Sequence, residues 1–186
     1  MRVDDRRSVE YGDRWNMTRE LFQHAYFVQD VRESAARWSE LFGAGPFAVA
    51  PHHLTDRFEY RGQPVEADVS YAFGYLGDLM VQFIQQHDDT PSIYRDMYAA
   101  GESGFHHVAY LVDDFEAEKQ RLLSMGFELA CDLFADGVNA AYFDTRAVTG
   151  GFTEIHGRPE HIVRTFAAWR EAHARRRDGD DPLMRR

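Results

Sequence analysis

A single cysteine, Cys131, excludes an intramolecular disulfide, so nothing in the sequence points to an oxidising compartment. It reads as a small buried hydrophobe rather than a reactive thiol. No run of about 18 apolar residues is present, which leaves no candidate membrane-spanning helix. Half of the first 20 residues are charged, and that stretch lacks the apolar centre of a signal peptide. The cytoplasm is the expected location. Basic charge is scarce: 21 Lys and Arg stand against 31 Asp and Glu, a net charge of −10. Such a balance repels phosphate backbones, so nucleic acid is not an expected partner. The cluster Arg175, Arg176 and Arg177 sits in a polar tail and reads as solvated charge. Also missing are a phosphate-binding P-loop, a nucleophile elbow and the metalloprotease helix motif, which sets those enzyme classes aside.

The sequence does contain enough apolar (44 %) and aromatic (14 %) residues to pack a globular core. It also contains a repeat. The segments Phe22 to Asp30 and Phe105 to Asp113 place Phe, His and Asp at matching positions, offset by 83. Both are rich in β-branched and aromatic residues and read as strands. Each runs into a helical stretch, Glu33 to Phe42 and Phe115 to Met125, closed by Gly43 and Gly126 as left-handed caps. The spacing from His24 to Gly43 equals that from His107 to Gly126, at 19 residues, which indicates duplication. Further strands follow: a hairpin of Val69 to Leu76 and Leu79 to Gln86, and three strands over Glu128 to Phe134, Ala140 to Asp144 and Phe152 to His156.

The expected fold is α+β, with two tandem βαβββ modules forming a cleft-shaped mixed sheet plus a C-terminal helix. The boundaries read as a polar N-terminal extension (1–20), a first module (21–87), a linker (88–103), a second module (104–157), a helix opened by Pro159 (158–175) and a disordered tail (176–186). The first module carries an excursion at about 50–66. The apolar face of the last helix, with Ile162, Phe166 and Trp169, has to dock against something, and a homodimer is expected.

Each module's first strand begins with a histidine, His24 or His107, and its last strand carries Gln82 or Glu154. A pseudo-twofold axis would gather two imidazoles, an amide oxygen and a carboxylate. That set suits one divalent ion (Zn, Co, Ni, Mn or Fe) with waters completing the shell. Taken singly, such residues are usually solvated or satisfied polar groups; paired at duplicated positions, they suggest a metal site. His106 should face the other way and pack. His156, two residues beyond Glu154, is a candidate for lining the pocket, whereas His52 and His53 belong to the excursion.

At this point the pattern resembles the vicinal oxygen chelate superfamily, which includes glyoxalase I, methylmalonyl-CoA epimerase, the extradiol dioxygenases and the bleomycin resistance proteins. The resemblance spans residues 21 to 157. Leu41 to Phe47 and Gly104 to Tyr110 look most like the epimerase and glyoxalase-like branch. It implies His24, Gln82, His107 and Glu154 as ligands of one metal ion. It also implies proton transfer next to a carbonyl of a small chelating substrate. The epimerase base is a glutamate on the third strand of module one. Here Tyr71 holds that position and Glu66 lies in the excursion, so methylmalonyl-CoA epimerase activity itself is in doubt. Glu154 is the candidate base and Tyr71 a candidate hydrogen-bond donor. Tyr26, Phe73, Phe152 and His156 are expected around the substrate. Two alternatives stand beside this reading: an iron-dependent extradiol dioxygenase and a non-catalytic binding or resistance protein.

Overall fold

The computed structural model describes residues 19–184, so nearly all of the expected N-terminal extension lies outside the described residues. The first module runs β1 (Arg19–Phe27), α1 (Val31–Phe42), a short β2 (Ala48–Ala50), then β3 (Arg57–Tyr60) and β4 (Gln63–Pro64) in the excursion, and the hairpin β5 (Val69–Leu76) and β6 (Leu79–Gln86). The second runs β7 (Gly104–Val112), α2 (Phe115–Ser124), β8 (Leu129–Ala135), β9 (Val138–Phe143), a four-residue α3 (Arg146–Thr149) and β10 (Phe152–Gly157). Helix α4 (Glu160–Arg175) follows. No described helix is long and apolar enough to cross a membrane.

All ten strands form one mixed sheet in the order β2-β5-β6-β1-β7-β10-β9-β8-β3-β4. Its symmetry is visible in the pairings. β1 runs parallel to β6, and β7 runs parallel to β10. The two first strands lie antiparallel at the centre, so the pseudo-twofold axis passes between β1 and β7. The excursion breaks the symmetry: β3 leaves module one and pairs with β8 of module two. It thereby ties the two outer walls of the cleft together.

Helices α1 and α2 each begin at an aspartate. Asp30 Oδ1 accepts from the backbone N–H of Arg32 (2.7 Å) and of Glu33 (2.9 Å). Asp114 Oδ1 accepts from Ala117 N–H at 2.9 Å. These caps satisfy donors that the first helical turn leaves unpaired. At the other end Gly43 sits at φ 72°, the left-handed region that glycine enters without a Cβ clash.

Two expectations about the C-terminal region are corrected. The tail from residue 176 is not loose over its described part. Phe47 N–H donates to Pro182 O, Met184 N–H donates to Phe47 O, and Leu183 packs beside Phe47. Arg176 Nη2 donates to Ser39 Oγ at 2.6 Å, so it is not merely solvated charge. The apolar face of α4, from which a homodimer was expected, packs in part against the chain itself. Trp169 stacks on Phe73 (5.5 Å, 17°) and Phe166 stacks on Phe22 (5.5 Å, 19°). The linker between the modules also does more than connect them, because Ile93 and Tyr94 are fully buried in the largest core cluster.

Candidate active site

Where β1 meets β7, the register slips between Leu21 and Gln23, which leaves Phe22 as an extra residue. The strand's facing is reset there. Gln23 and Ala25 look into the cleft, paired with Ala109 and His107, while His24 pairs with Val108 on the opposite face. On the neighbouring strands Ala25 lies beside Gln82, and Glu154 beside Ala109. Four buried polar side chains therefore meet at the cleft floor: Gln23, Gln82, His107 and Glu154. Gln23 Nε2 donates to Gln82 Oε1 at 2.8 Å and lies 3.3 Å from His107 Nε2. His107 Nε2 is 2.9 Å from Glu154 Oε2.

Hydrogen bonding behind His107 determines which of its nitrogens carries the proton. His106 Nε2 is 3.1 Å from the Ile93 carbonyl oxygen, which can only accept, so that nitrogen donates. Burial, and then the neighbouring His107, pushes the His106 pKa down to about 3, so the ring is neutral and its Nδ1 is bare. His107 Nδ1, 2.8 Å away, must then donate to it. Burial likewise lowers His107 to about 3. Its Nε2 therefore presents a lone pair to the cleft, the tautomer that a metal ligand requires.

Glu154 Oε2 faces that lone pair and has no hydrogen-bond partner among the described residues. Two lone pairs 2.9 Å apart repel unless a proton or a cation lies between them. Burial raises the Glu154 pKa to about 7, although His156 and the Tyr142 hydroxyl act in the opposite direction. Gly151 permits the close approach that brings β10 against β7. A Cβ there would stand 2.6 Å from the His106 carbonyl oxygen.

The residues singled out in the sequence separate into two groups. Gln82, His107 and Glu154 come together. His24 does not join them: it lies on the far face, with Phe105 6.1 Å away ring to ring. Tyr26 shares that far face and packs on Trp38 and Phe83, so it does not line the cleft. Phe152 is fully buried behind His106, 5.2 Å ring to ring, and forms core rather than cavity wall. Tyr71, Phe73 and His156 line the cavity above the floor, together with His53 from the excursion. Glu66 lies in a separate groove beside the excursion. Sequence reading missed Gln23 and assigned His106 to packing. The helix caps carry the signal for Gln23: Asp30 corresponds to Asp114, not Asp113, which shifts the strand offset to 84 and aligns Gln23 with His107.

The cavity above the floor has a volume of about 430 Å³. Its walls come from β5, β6, β8, β9 and α4, with Tyr71, Phe73, Leu133, Val138, Phe166 and Trp169 among them. Tyr71 hydroxyl lies 3.0 Å from Tyr94 hydroxyl, and burial raises its pKa so that it stays protonated. Outside the cavity, His52, Asp68 and His87 form an exposed trio whose ligand-type atoms lie within 4.8 Å of one another.

Paired βαβββ modules enclosing one cleft, with the polar floor on the central strands, define a protein built by duplication around a single shared site. Residues 22–143 match the glyoxalase/bleomycin resistance protein/dioxygenase superfamily, and the chain belongs to it. Solved structures agree on the fold. A methylmalonyl-CoA epimerase from Mycobacterium tuberculosis superimposes with a TM-score of 0.54 at 14 % identity, covering 77 % of this chain and 91 % of that one. A hypothetical protein from Bacillus halodurans reaches 0.55 at 16 % identity, covering 77 % and 96 %. A Streptomyces coelicolor methylmalonyl-CoA epimerase in complex with 2-nitronate-propionyl-CoA reaches 0.52 at 16 % identity, covering 76 % and 97 %. A search of curated proteins finds no match.

Proposed function

We propose that the chain is a metal-assisted acid–base enzyme that moves a proton next to a carbonyl, an isomerase or lyase of its superfamily. The observation that carries this reading is the buried pair of His107 Nε2 and Glu154 Oε2, a ring-nitrogen lone pair facing a carboxylate oxygen without a hydrogen-bond partner, 2.9 Å apart at the floor of a cavity. The donors fit one divalent ion. His107 offers an imidazole nitrogen in the required tautomer, Glu154 a carboxylate oxygen without a hydrogen-bond partner, and Gln82 an amide oxygen. Gln23 adds a second amide oxygen once its side-chain amide turns over, a rotation that exchanges its donor for an acceptor. When bound, the ion supplies Lewis-acid stabilisation of negative charge on a substrate oxygen.

The chain's own residues supply the proton chemistry. In the metal-free protein the Glu154 carboxylate, with a pKa of about 7, is half-charged near neutrality; with the ion bound it would act as base by leaving the ion. The other carboxylate on the cavity wall is Asp136, and it sits at the exposed rim. Tyr71, held protonated, is placed to donate to a substrate oxygen. The apolar walls and α4 exclude water from the floor, which strengthens each of these interactions. An extradiol dioxygenase reading loses its basis here, because only one histidine reaches the floor and a two-histidine, one-carboxylate set does not assemble.

The test combines metal analysis with proton exchange. Protein loaded separately with Zn, Mn, Co, Ni and Fe is incubated in deuterated water with a panel of 1,2- and 1,3-dicarbonyl compounds, and α-proton exchange is followed by NMR. Exchange that depends on metal and disappears in Glu154→Gln supports the reading. Exchange unchanged in Glu154→Gln, or absent with every metal, rejects it. The exposed trio is silenced in parallel by His87→Ala, so that the metal counted is the metal at the cleft floor.

A further inference from the structure

The cavity wall has a property that the reaction reading leaves unused. None of the described residues lining it is a lysine or an arginine. The nearby cations are committed elsewhere: Arg57 and Lys119 both bind Asp132, and Arg170 binds Asp78. Among the described lining residues the rim carries the Asp136 carboxylate, 3.4 Å from His53 Nε2. His161 Nε2 donates to the Asp136 carbonyl at 2.9 Å, so it is also occupied. The chain as a whole carries a net charge of −10.

The shape of the cavity adds to the charge argument. Trp169 stacks on Phe73, 17° apart, and both rings line the cavity. Val138 and Leu133 face the same space, and the floor is formed by Gln23, Gln82 and Glu154. An anionic ligand would lose its hydration there and gain no cationic partner, so its burial is disfavoured. A flat apolar ring loses little on desolvation and gains dispersion and stacking contact.

We propose that this cavity selects an uncharged, ring-bearing compound with adjacent oxygens directed to the floor, and that it rejects CoA thioesters and other anionic substrates. This rests on the reading that the cavity is the reaction site, and it departs from the ligand of the Streptomyces neighbour, an acyl-CoA analogue. A CoA thioester carries phosphates that need basic groups along its path, and the cavity wall and rim offer none.

The experiment uses two probes that differ by one charge: 2,3-dihydroxynaphthalene and 2,3-dihydroxynaphthalene-6-sulfonate, with propionyl-CoA as a third. Binding to the metal-loaded protein is measured by equilibrium dialysis. The diol is expected to bind at least tenfold more tightly than its sulfonate, and propionyl-CoA is expected to show no saturable binding. Trp169→Ala should weaken the diol at least tenfold. Because that variant also removes contacts that seat α4, Thr165→Arg provides an independent check: a cation on the cavity wall should narrow or reverse the preference for the diol. Binding of propionyl-CoA or the sulfonate as tightly as the diol overturns the proposal, as does failure of the diol to bind. Loss of α-proton exchange with diol binding intact would instead overturn the reaction reading and leave this one standing.

Discussion

The two modules share a backbone plan but contribute different chemistry to one floor. Module one supplies two amides, Gln23 and Gln82, which hydrogen-bond to each other at 2.8 Å and carry no charge at any pH. Module two supplies the titratable pair, His107 and Glu154, and the Ile93–His106 chain behind it that fixes the tautomer. Duplication made two equivalent strand pairs, and substitution then divided the work between them. In the proposed reading module one would offer the ion uncharged amide oxygens, and module two an imidazole nitrogen and a titrating carboxylate. In a duplicated site the halves need not stay chemically equal, so a ligand in one half is a weak guide to its counterpart.

The division of labour breaks most completely at His107. His107→Ala is expected to abolish both metal retention and α-proton exchange. His107→Gln, which keeps the volume and a polar tip, should do the same while leaving the circular-dichroism spectrum and the cooperative unfolding transition in place. Full metal content in either variant would show that Gln23, Gln82 and Glu154 hold the ion without His107.

Glu154 gives the next largest effect, and its sign follows from burial. Its folded pKa of about 7 lies above its ordinary value of 4.5. Its contribution to the stability of the metal-free protein is therefore fully present below about pH 4.5 and is lost as pH rises through about 7. His106 and His107, both lowered to about 3, act in the other direction and lose stability as pH falls below about 6.5. Comparing wild type with Glu154→Gln cancels those two. The difference in unfolding free energy should swing by about 3 kcal/mol against wild type between pH 4.5 and 8. Metal affinity should run the opposite way and fall about tenfold per unit below pH 7, because the ion must displace the Glu154 proton. The carboxylate sets this fall and His107 does not, because its buried ring stays neutral down to about 3. A flat difference curve in chelator-treated protein would show that Glu154 is not held protonated.

Making the modules alike is a gentler perturbation. Gln23→His places an imidazole where the duplication would have one. It should raise affinity for Zn or Ni by roughly tenfold, since imidazole is the better donor for those ions. His24→Ala, on the far face, should leave affinity unchanged. If His24→Ala removed the metal instead, the strand facing described here would be wrong.

These residues also show how much of the site could be read from the sequence. Two modules, their strand–helix order and the final-strand pair Gln82 and Glu154 follow from periodicity and turn chemistry, because a half-buried strand and an amphipathic helix repeat with different periods. The first-strand residue does not follow. Matching His24 to His107 aligned the most conspicuous residue type and gave an offset of 83, while the helix starts at Val31 and Phe115 give 84. The terminal glycines kept the shorter offset because α2 is two residues shorter than α1 and Met125 stands between its last residue and Gly126. A strand points its residues alternately to either face, so an error of one turns the side chain away from the site. The bulge at Phe22 is tertiary in origin and leaves no local mark, and neither does the docking of α4 onto Phe73. Tyr26 and Phe152 were placed at the substrate by residue type. Burial instead assigns Tyr26 to packing beneath α1 and Phe152 to the core behind His106.

The smallest predicted effect tests the anchor that fixes this register. Asp30 caps α1 through two backbone N–H groups, at 2.7 and 2.9 Å, whereas Asp114 caps α2 through one at 2.9 Å. Replacing such a cap by alanine costs about 1 kcal/mol, and the second bond should place Asp30→Ala above Asp114→Ala by a few tenths of a kcal/mol. Denaturant unfolding of the two variants measures both quantities. Asp113→Ala belongs beside them: its carboxylate interacts with Arg158 (Oδ1 to Nη1 3.1 Å), on a side chain that is about half exposed. An exposed pair of that kind contributes little, so the loss should stay under about 0.5 kcal/mol. If Asp113→Ala cost as much as Asp30→Ala, Asp113 would be the structural counterpart of Asp30. The offset would then return to 83, and the equivalence of Gln23 with His107 would fail with it.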